Sequence, residues 1–169
     1  MFNTSKIKSS NKEEFYNLLV LQLKAILEDE KNPLANLANT SALIFSQLEN
    51  LNWAGFYLMN KTKTELILAC FQGNVACTRI PLGKGVCGNA AKDNKTYLVE
   101  NVHEFPGHIA CDSASNSEIV IPIRKNNEVI GVLDIDSPIL NRFDEYDKHF
   151  LEMLAKIVEE SANIGILNL

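Results

Sequence analysis

Three of the four cysteines lie in glycine- or proline-punctuated segments, which are typical of loops. These are Cys77, Cys87 and Cys111, while Cys70 lies within an apolar strand pattern and is expected to be a small core residue. Reactive groups concentrate on loops that a rigid scaffold positions. Cys87 and Cys111 are both expected at helix starts, where the helix dipole favours a reactive thiolate. The three thiols either cooperate in redox chemistry or are unrelated loop residues.

Acidic residues occupy an otherwise apolar hairpin. Side chains alternate across a strand, so Asp134 and Asp136 share one face, and Glu118 opens the partner strand near the same end. Buried carboxylates on one face require a cation, a shared proton or several donors. The three acids therefore either lie in water at a sheet end or form a pocket for a cation or an ammonium group. An Asp-x-Asp metal site is a weaker alternative.

Two further pairs of residues, one aromatic and one of histidines, could contribute to a binding site. Trp53 and Tyr57 have the same strand parity, so they pack in the core or form the wall of a small pocket. His103 and His108 could join the loop cysteines in a zinc site, although their spacing matches no compact zinc motif.

Hydrophobic periodicity predicts the elements that must position these residues. Apolar stripes predict helices over about 11–30, 33–50 and 144–164, and a shorter helix is expected over 86–92. Strands are expected over 53–59, 66–71 and 96–100, and a hairpin pairs 118–124 with 128–136. Pro122 predicts a bulge or an edge position. The order indicates an α+β fold with a mostly antiparallel sheet, terminal helices on one face and the site on the other.

Length and charge exclude several classes of protein. The 169 residues favour a single domain over 1–169, and a net charge of −5 argues against a nucleic-acid binder. The chain has no apolar run of about 18 residues, so we expect no membrane span. Its first residues show no signal-peptide pattern, so we expect a cytoplasmic protein with no need of structural disulfides.

Six further segments form a recognisable set. They are FQG at 71–73, ACTRIP at 76–81, GKGVCG at 83–88, VHEFPGHIACD at 102–112, SNSEIV at 115–120 and GVLDIDSP at 131–138. Together they resemble the free methionine-(R)-sulfoxide reductases, which are stand-alone proteins of the GAF fold. The likeness extends from Trp53 to the final helix, and the three-cysteine spacing is not a general GAF feature.

This resemblance implies a thiol mechanism without a metal or organic cofactor. Cys111 would attack the sulfoxide sulfur of free methionine sulfoxide and become a sulfenic acid, in preference to Cys87 as the attacking thiol. Cys77 and Cys87 would recycle it through a disulfide that thioredoxin or a similar dithiol reduces. The resemblance is also compatible with a homodimer. The residues implied in substrate binding or activation are Trp53, Tyr57, Glu118, Asp134 and Asp136.

Two other functions remain open at the level of sequence. The first is a GAF module that senses a small molecule without reacting with it. The second, weaker alternative is a zinc-stabilised structural protein.

Overall fold

A computed structural model describes residues 5–161 of the chain. Four α-helices, one short 3₁₀ helix (Val102–Glu104) and six strands make up the fold in this range. The helices are α1 (Lys12–Leu27), α2 (Pro33–Gln47), α3 (Gly85–Asp93) and α4 (Glu145–Ser161). The strands are β1 (Trp53–Met59), β2 (Glu65–Gly73), β3 (Arg79–Pro81), β4 (Tyr97–Val99), β5 (Ser117–Lys125) and β6 (Glu128–Ser137).

The strands form one antiparallel sheet in the order β3-β2-β1-β6-β5-β4. One core cluster joins α1, α2 and α4 to the sheet, and a second lies between the opposite face and α3. The predicted α+β class and the placement of the terminal helices on one face are therefore confirmed. Within residues 5–161, none of the helices combines the length and the apolar character needed to cross a bilayer.

Asparagine caps fix the starts of α1 and α2. The Asn11 side chain accepts the Glu14 N–H, and Asn32 caps α2 immediately before Pro33. Both helices end about three residues earlier than the apolar pattern predicts. The final helix begins at Glu145, one residue after the predicted start, and its predicted end at 164 lies outside the described residues.

The β5–β6 hairpin has the predicted turn, and a register shift between Ile123 and Arg124 brings Glu118 opposite Asp136. Asn126 and Asn127 have positive φ angles of 51° and 66°, as a type I′ turn requires. Pro122 lies beyond the last β4 partner on β5, which is Val120, and a register shift follows at Ile123. The predicted edge or bulge position of Pro122 is therefore confirmed, because the missing N–H falls where β4 no longer pairs.

A buried carboxylate joins the first helix to the last. Asp147 is fully buried and accepts a hydrogen bond from the Tyr16 hydroxyl at 2.5 Å, while Lys12 Nζ lies 2.8 Å from its other oxygen. A buried carboxylate depends on such partners, because an unpaired charge away from water is costly. This contact ties α1 to α4 on the face opposite α3.

We predict that Tyr16→Phe lowers the free energy of unfolding by about 2 kcal/mol, because it removes one hydrogen bond from a buried charged group. Urea denaturation measures the loss, and Tyr146→Phe on the exposed side of α4 is the matched control. Equal stability of the two variants would contradict this role of Tyr16.

Candidate active site

Sheet register places an aromatic ring and two acids in one row. Trp53 on β1 pairs with Asp136 on β6, and Asp136 pairs with Glu118 on β5. Asp134 lies two residues before Asp136 and therefore projects from the same face. Tyr57 follows Trp53 on that face of β1. The sequence-predicted aromatic and acidic residues thus converge on the face that α3 covers.

The three acids are held away from water and affect one another. Burial, followed by the charges of Asp134 and Asp136, raises the pKa of Glu118 well above its usual value. Burial raises the pKa of Asp134 to about 6, although hydrogen bonds involving Cys87 and Glu118 oppose that rise. Asp136 is only half-buried as a residue, but its carboxyl group faces the cavity, where desolvation and then Asp134 raise its pKa. The cluster therefore retains protons at a higher pH than isolated carboxyl groups.

Cys87 lies beside the acids rather than in an electropositive position. It occupies the first turn of α3, as predicted, and its Sγ donates to Glu118 Oε1 at 3.9 Å. Burial, together with the charges of Asp134 and Glu118, raises the pKa of this thiol well above its usual value. The expectation that the helix start acidifies Cys87 is therefore wrong, because desolvation and nearby acids outweigh the dipole.

The other two loop cysteines are bonded to each other. Cys77 and Cys111 form a disulfide with a Cα separation of 5.2 Å. The helix expected to start at Cys111 is absent from the described residues, so that part of the prediction is wrong. Asp112 Oδ1 accepts the Ala114 N–H and closes a local turn instead.

Aromatic rings form one wall of the site. Trp53 stacks between Tyr57 and Phe71, with ring centroids 5.6 Å and 5.3 Å away. Gly55 permits this arrangement, since a Cβ there would clash with Phe71 Cβ and lie 2.7 Å from the indole. The Tyr57 hydroxyl donates to the Cys77 carbonyl at 3.0 Å, which links the aromatic wall to a cysteine segment.

A narrow cavity of about 30 Å³ lies between these groups. The predicted site residues line it, except that Cys77 lies just outside and reaches it through its bond to Cys111. Trp53 Nε1 and Asp134 Oδ1 are buried and have no hydrogen-bond partner among residues 5–161. The indole N–H is therefore available as a donor to a polar ligand and the carboxyl oxygen as an acceptor, since buried polar atoms are costly to leave unpaired.

The histidine-based zinc alternative is not assembled in the described part of the chain. Cys77 and Cys111 share their disulfide, and His103 Nε2 contacts Asn116 Oδ1 at 2.9 Å. The potential ligand atoms that lie within 4.8 Å of one another in residues 5–161 belong instead to Cys87, Glu118 and Asp134.

Residue types and spacing did not reveal a polar network beside the disulfide. Asp112 Oδ2 accepts the side-chain amides of Asn52 and Asn74 at 2.8 Å and 2.9 Å, and Asn52 also donates to Ser115 Oγ. Asp112 and Ser115 line the cavity. The one available signal was the position of Asp112 directly after Cys111.

The chain is similar in sequence to a known domain family and to a curated reductase. A family model described as GAF domain matches residues 35–160. The free methionine-R-sulfoxide reductase of Escherichia coli (strain K12) is 50% identical over 150 residues, which cover 89% of this chain and 90% of that protein.

Solved structures with the same fold include two similar proteins. The X-ray structure of free methionine-R-sulfoxide reductase from Neisseria meningitidis in complex with its substrate has a TM-score of 0.90 and 41% identity, covering 99% of this chain and 100% of that chain. The structure of fRMsr of Staphylococcus aureus in its reduced form has a TM-score of 0.84 and 50% identity, covering 93% and 98% of the two chains.

We predict that Asp134→Asn changes the pH dependence of stability. The folded protein holds the Asp134 proton with a pKa of about 6, whereas the ordinary value is 3.8. Folding therefore favours the protonated form, and the wild type loses stability relative to the variant as pH rises through this interval. The wild-type free energy of unfolding minus that of the variant should fall by about 3 kcal/mol between about pH 4 and pH 8.

Urea denaturation of both proteins at several pH values, with the disulfide intact, measures this difference. A difference that stays constant or grows with pH would contradict the buried acid cluster.

Proposed function

This chain belongs to the free methionine-R-sulfoxide reductases of the GAF domain family, and we propose that its cavity reduces free L-methionine-(R)-sulfoxide to methionine. One observation carries the proposal: a disulfide between two loop cysteines adjoins three acids with raised pKa values. When this cysteine pair is reduced, its thiols supply the two electrons that removal of a sulfoxide oxygen requires, and the acids that line the same cavity as Cys111 supply the proton.

In the proposed first step, Cys111 attacks the sulfoxide sulfur as a thiolate. The oxygen receives a proton and passes to Cys111 Sγ, so that methionine leaves and Cys111 becomes a sulfenic acid. The substrate sulfur is reduced by two electrons and the cysteine sulfur is oxidised by two. Cys111 lines the cavity next to the acids, which supports it as the attacking residue in preference to the buried Cys87.

The acids divide two tasks in this proposal. Glu118 has a strongly raised pKa and carries the proton that the sulfoxide oxygen accepts. Asp134 has a pKa of about 6 and is mostly ionised at neutral pH, so its unpartnered oxygen accepts the substrate ammonium. Asp136 adds a second carboxyl group for the ammonium on the same strand face.

The aromatic wall provides the apolar part of the substrate site. Trp53 and Tyr57 enclose the methyl-sulfur end of methionine sulfoxide, while the buried indole N–H offers a donor to a substrate oxygen. The site gives one position each to the methyl group, the sulfoxide oxygen and the attacking thiolate. Only one sulfoxide epimer fits all three positions, which accounts for selectivity towards the R form.

Recycling in this proposal starts with Cys77. The Cys77 thiol condenses with the Cys111 sulfenic acid, and the resulting disulfide is the one in the structure. Because it carries this disulfide, the form described here corresponds to the state after methionine has left the cavity. Cys87 serves as a second recycling thiol. Thioredoxin or a similar dithiol then returns the disulfide to two thiols, and this route requires no metal or organic cofactor.

The proposal extends to the domain, the oligomeric state and the location of the protein. The single sheet of the described residues supports one GAF domain over 1–169. Leu18 and Leu21 are exposed on α1 and would provide apolar surface for a homodimer. We propose a cytoplasmic location, because a thioredoxin-type reductant acts where thiols are kept reduced.

We predict that the wild type consumes NADPH when it is supplied with free L-methionine-R-sulfoxide, thioredoxin and thioredoxin reductase. Cys111→Ser should abolish turnover because it removes the attacking sulfur, whereas Cys77→Ser should still release a burst of methionine. The matched control is Cys70→Ser, which removes a half-buried thiol on β2 outside the cavity and should leave turnover unchanged.

No NADPH consumption by the wild type would contradict the reductase. If the sulfoxide also caused no thiol-to-disulfide change, a sensing GAF module would be favoured. Normal turnover by Cys111→Ser would show that another thiol attacks.

A further inference from the structure

The loop segments that carry Cys77 and Cys111 are joined by a hydrogen bond as well as by the disulfide. Cys77 lies three residues after Asn74, and Cys111 immediately precedes Asp112. The Asn74 side-chain amide donates to Asp112 Oδ2 at 2.9 Å. Since this hydrogen bond does not involve sulfur, reduction of the disulfide does not by itself break it.

The same carboxylate is fixed to the sheet. Asp112 Oδ2 also accepts the Asn52 amide at 2.8 Å, and the Asn52 backbone N–H donates to the Asp136 carbonyl at 3.1 Å. Asn74 directly follows Gly73, which pairs with Trp53 at the end of β2. Both amides therefore belong to residues at the paired ends of β1 and β2. Their hydrogen bonds anchor Asp112, which lies on a loop, to this end of the sheet.

The charge on Asp112 is suited to this task. Hydrogen bonds from the Ala114 N–H and then from Asn74 hold the pKa of Asp112 below its usual value. The carboxylate therefore stays ionised at neutral pH, and hydrogen bonds to a charged acceptor are stronger than neutral ones.

We infer that Asp112 is a positioning residue, which holds the Cys111 segment against the Cys77 segment in the reduced enzyme and so accelerates formation of their disulfide. The inference rests on the proposed function. In this step the Cys77 sulfur attacks the sulfenic sulfur of Cys111, the S–O bond breaks and an S–S bond forms. The hydroxyl leaves with the Cys77 proton as water, so no outside oxidant is needed.

Proximity explains why the Asn74–Asp112 hydrogen bond affects disulfide formation in particular. Two groups held in a reactive geometry combine faster than groups on independently moving loops. Attack on the sulfoxide needs Cys111, the acids and the substrate, whereas disulfide formation needs Cys77 as well. Loss of the Asn74–Asp112 hydrogen bond should therefore slow the second step and spare the first.

Single-turnover experiments on Asn74→Ala separate the two steps. Reduced protein is mixed with excess free L-methionine-R-sulfoxide without a reductant and quenched at intervals with dimedone, which traps sulfenic acid. Mass spectrometry then measures methionine, the trapped sulfenic acid and the disulfide. Asn74→Ala keeps the Asp112 charge and removes an exposed side chain, so it has little reason to disturb the fold.

A matched control and a second variant complete the design. Asn101→Ala removes another amide that donates to a carboxylate, that of Glu104 at 2.9 Å, within the 3₁₀ turn at Val102–Glu104, and leaves the Asn74–Asp112 hydrogen bond intact. Asp112→Asn removes the charge itself, and circular dichroism establishes whether that variant is folded. Asn74→Gln keeps the amide and should restore part of the lost rate, which a purely structural role would not predict.

For Asn74→Ala we expect methionine release at the wild-type rate and sulfenic acid that disappears about tenfold more slowly, with Asn101→Ala unchanged. Disappearance of sulfenic acid at the wild-type rate in Asn74→Ala would overturn the inference, whether or not Asp112→Asn folds. A wild type that releases no methionine would instead overturn the proposed function, so the two failures are distinguishable.

Discussion

The burial of three carboxyl groups on one apolar sheet face is the constraint on which the site depends. Glu118, Asp134 and Asp136 cannot all ionise there without a cation, because desolvation and mutual repulsion both favour the protonated form. The cluster must therefore hold protons or receive a positive group. A zwitterionic sulfoxide uses both properties, since its ammonium supplies the cation and its oxygen takes the proton.

The two faces of the sheet have different roles. On one face, α1, α2 and α4 pack into a large apolar core, which offsets the free-energy cost of burying the acids on the other face. The opposite face carries α3, the aromatic wall and the cysteine segments. Because Trp53, Asp136 and Glu118 are direct partners across three strands, backbone hydrogen bonds fix their spacing. Cys77 and Cys111 lie on loops outside these strands, and Cys87 lies on α3.

Local patterns predicted that the three acids gather at one end of the hairpin but did not predict the environment of the thiols. The Asn126–Asn127 turn by itself would pair Glu118 with Ile135, and the register shift between Ile123 and Arg124 brings Glu118 opposite Asp136 instead. The raised pKa of Cys87 depends on acids from a distant strand, which no local spacing reveals. The helix expected at Cys111 fails because the Asp112 side chain takes the Ala114 N–H, and its amide partners are nearly forty and sixty residues away.

The most direct test of this account is to detect a protonated carboxyl group in the reduced enzyme at neutral pH by infrared spectroscopy. The account predicts a carboxylic acid carbonyl band in the wild type that is lost in Glu118→Gln and shifts when the substrate binds. A spectrum in which every carboxyl group is ionised at neutral pH would contradict the central claim, because the sulfoxide oxygen would then have no buried acid to protonate it.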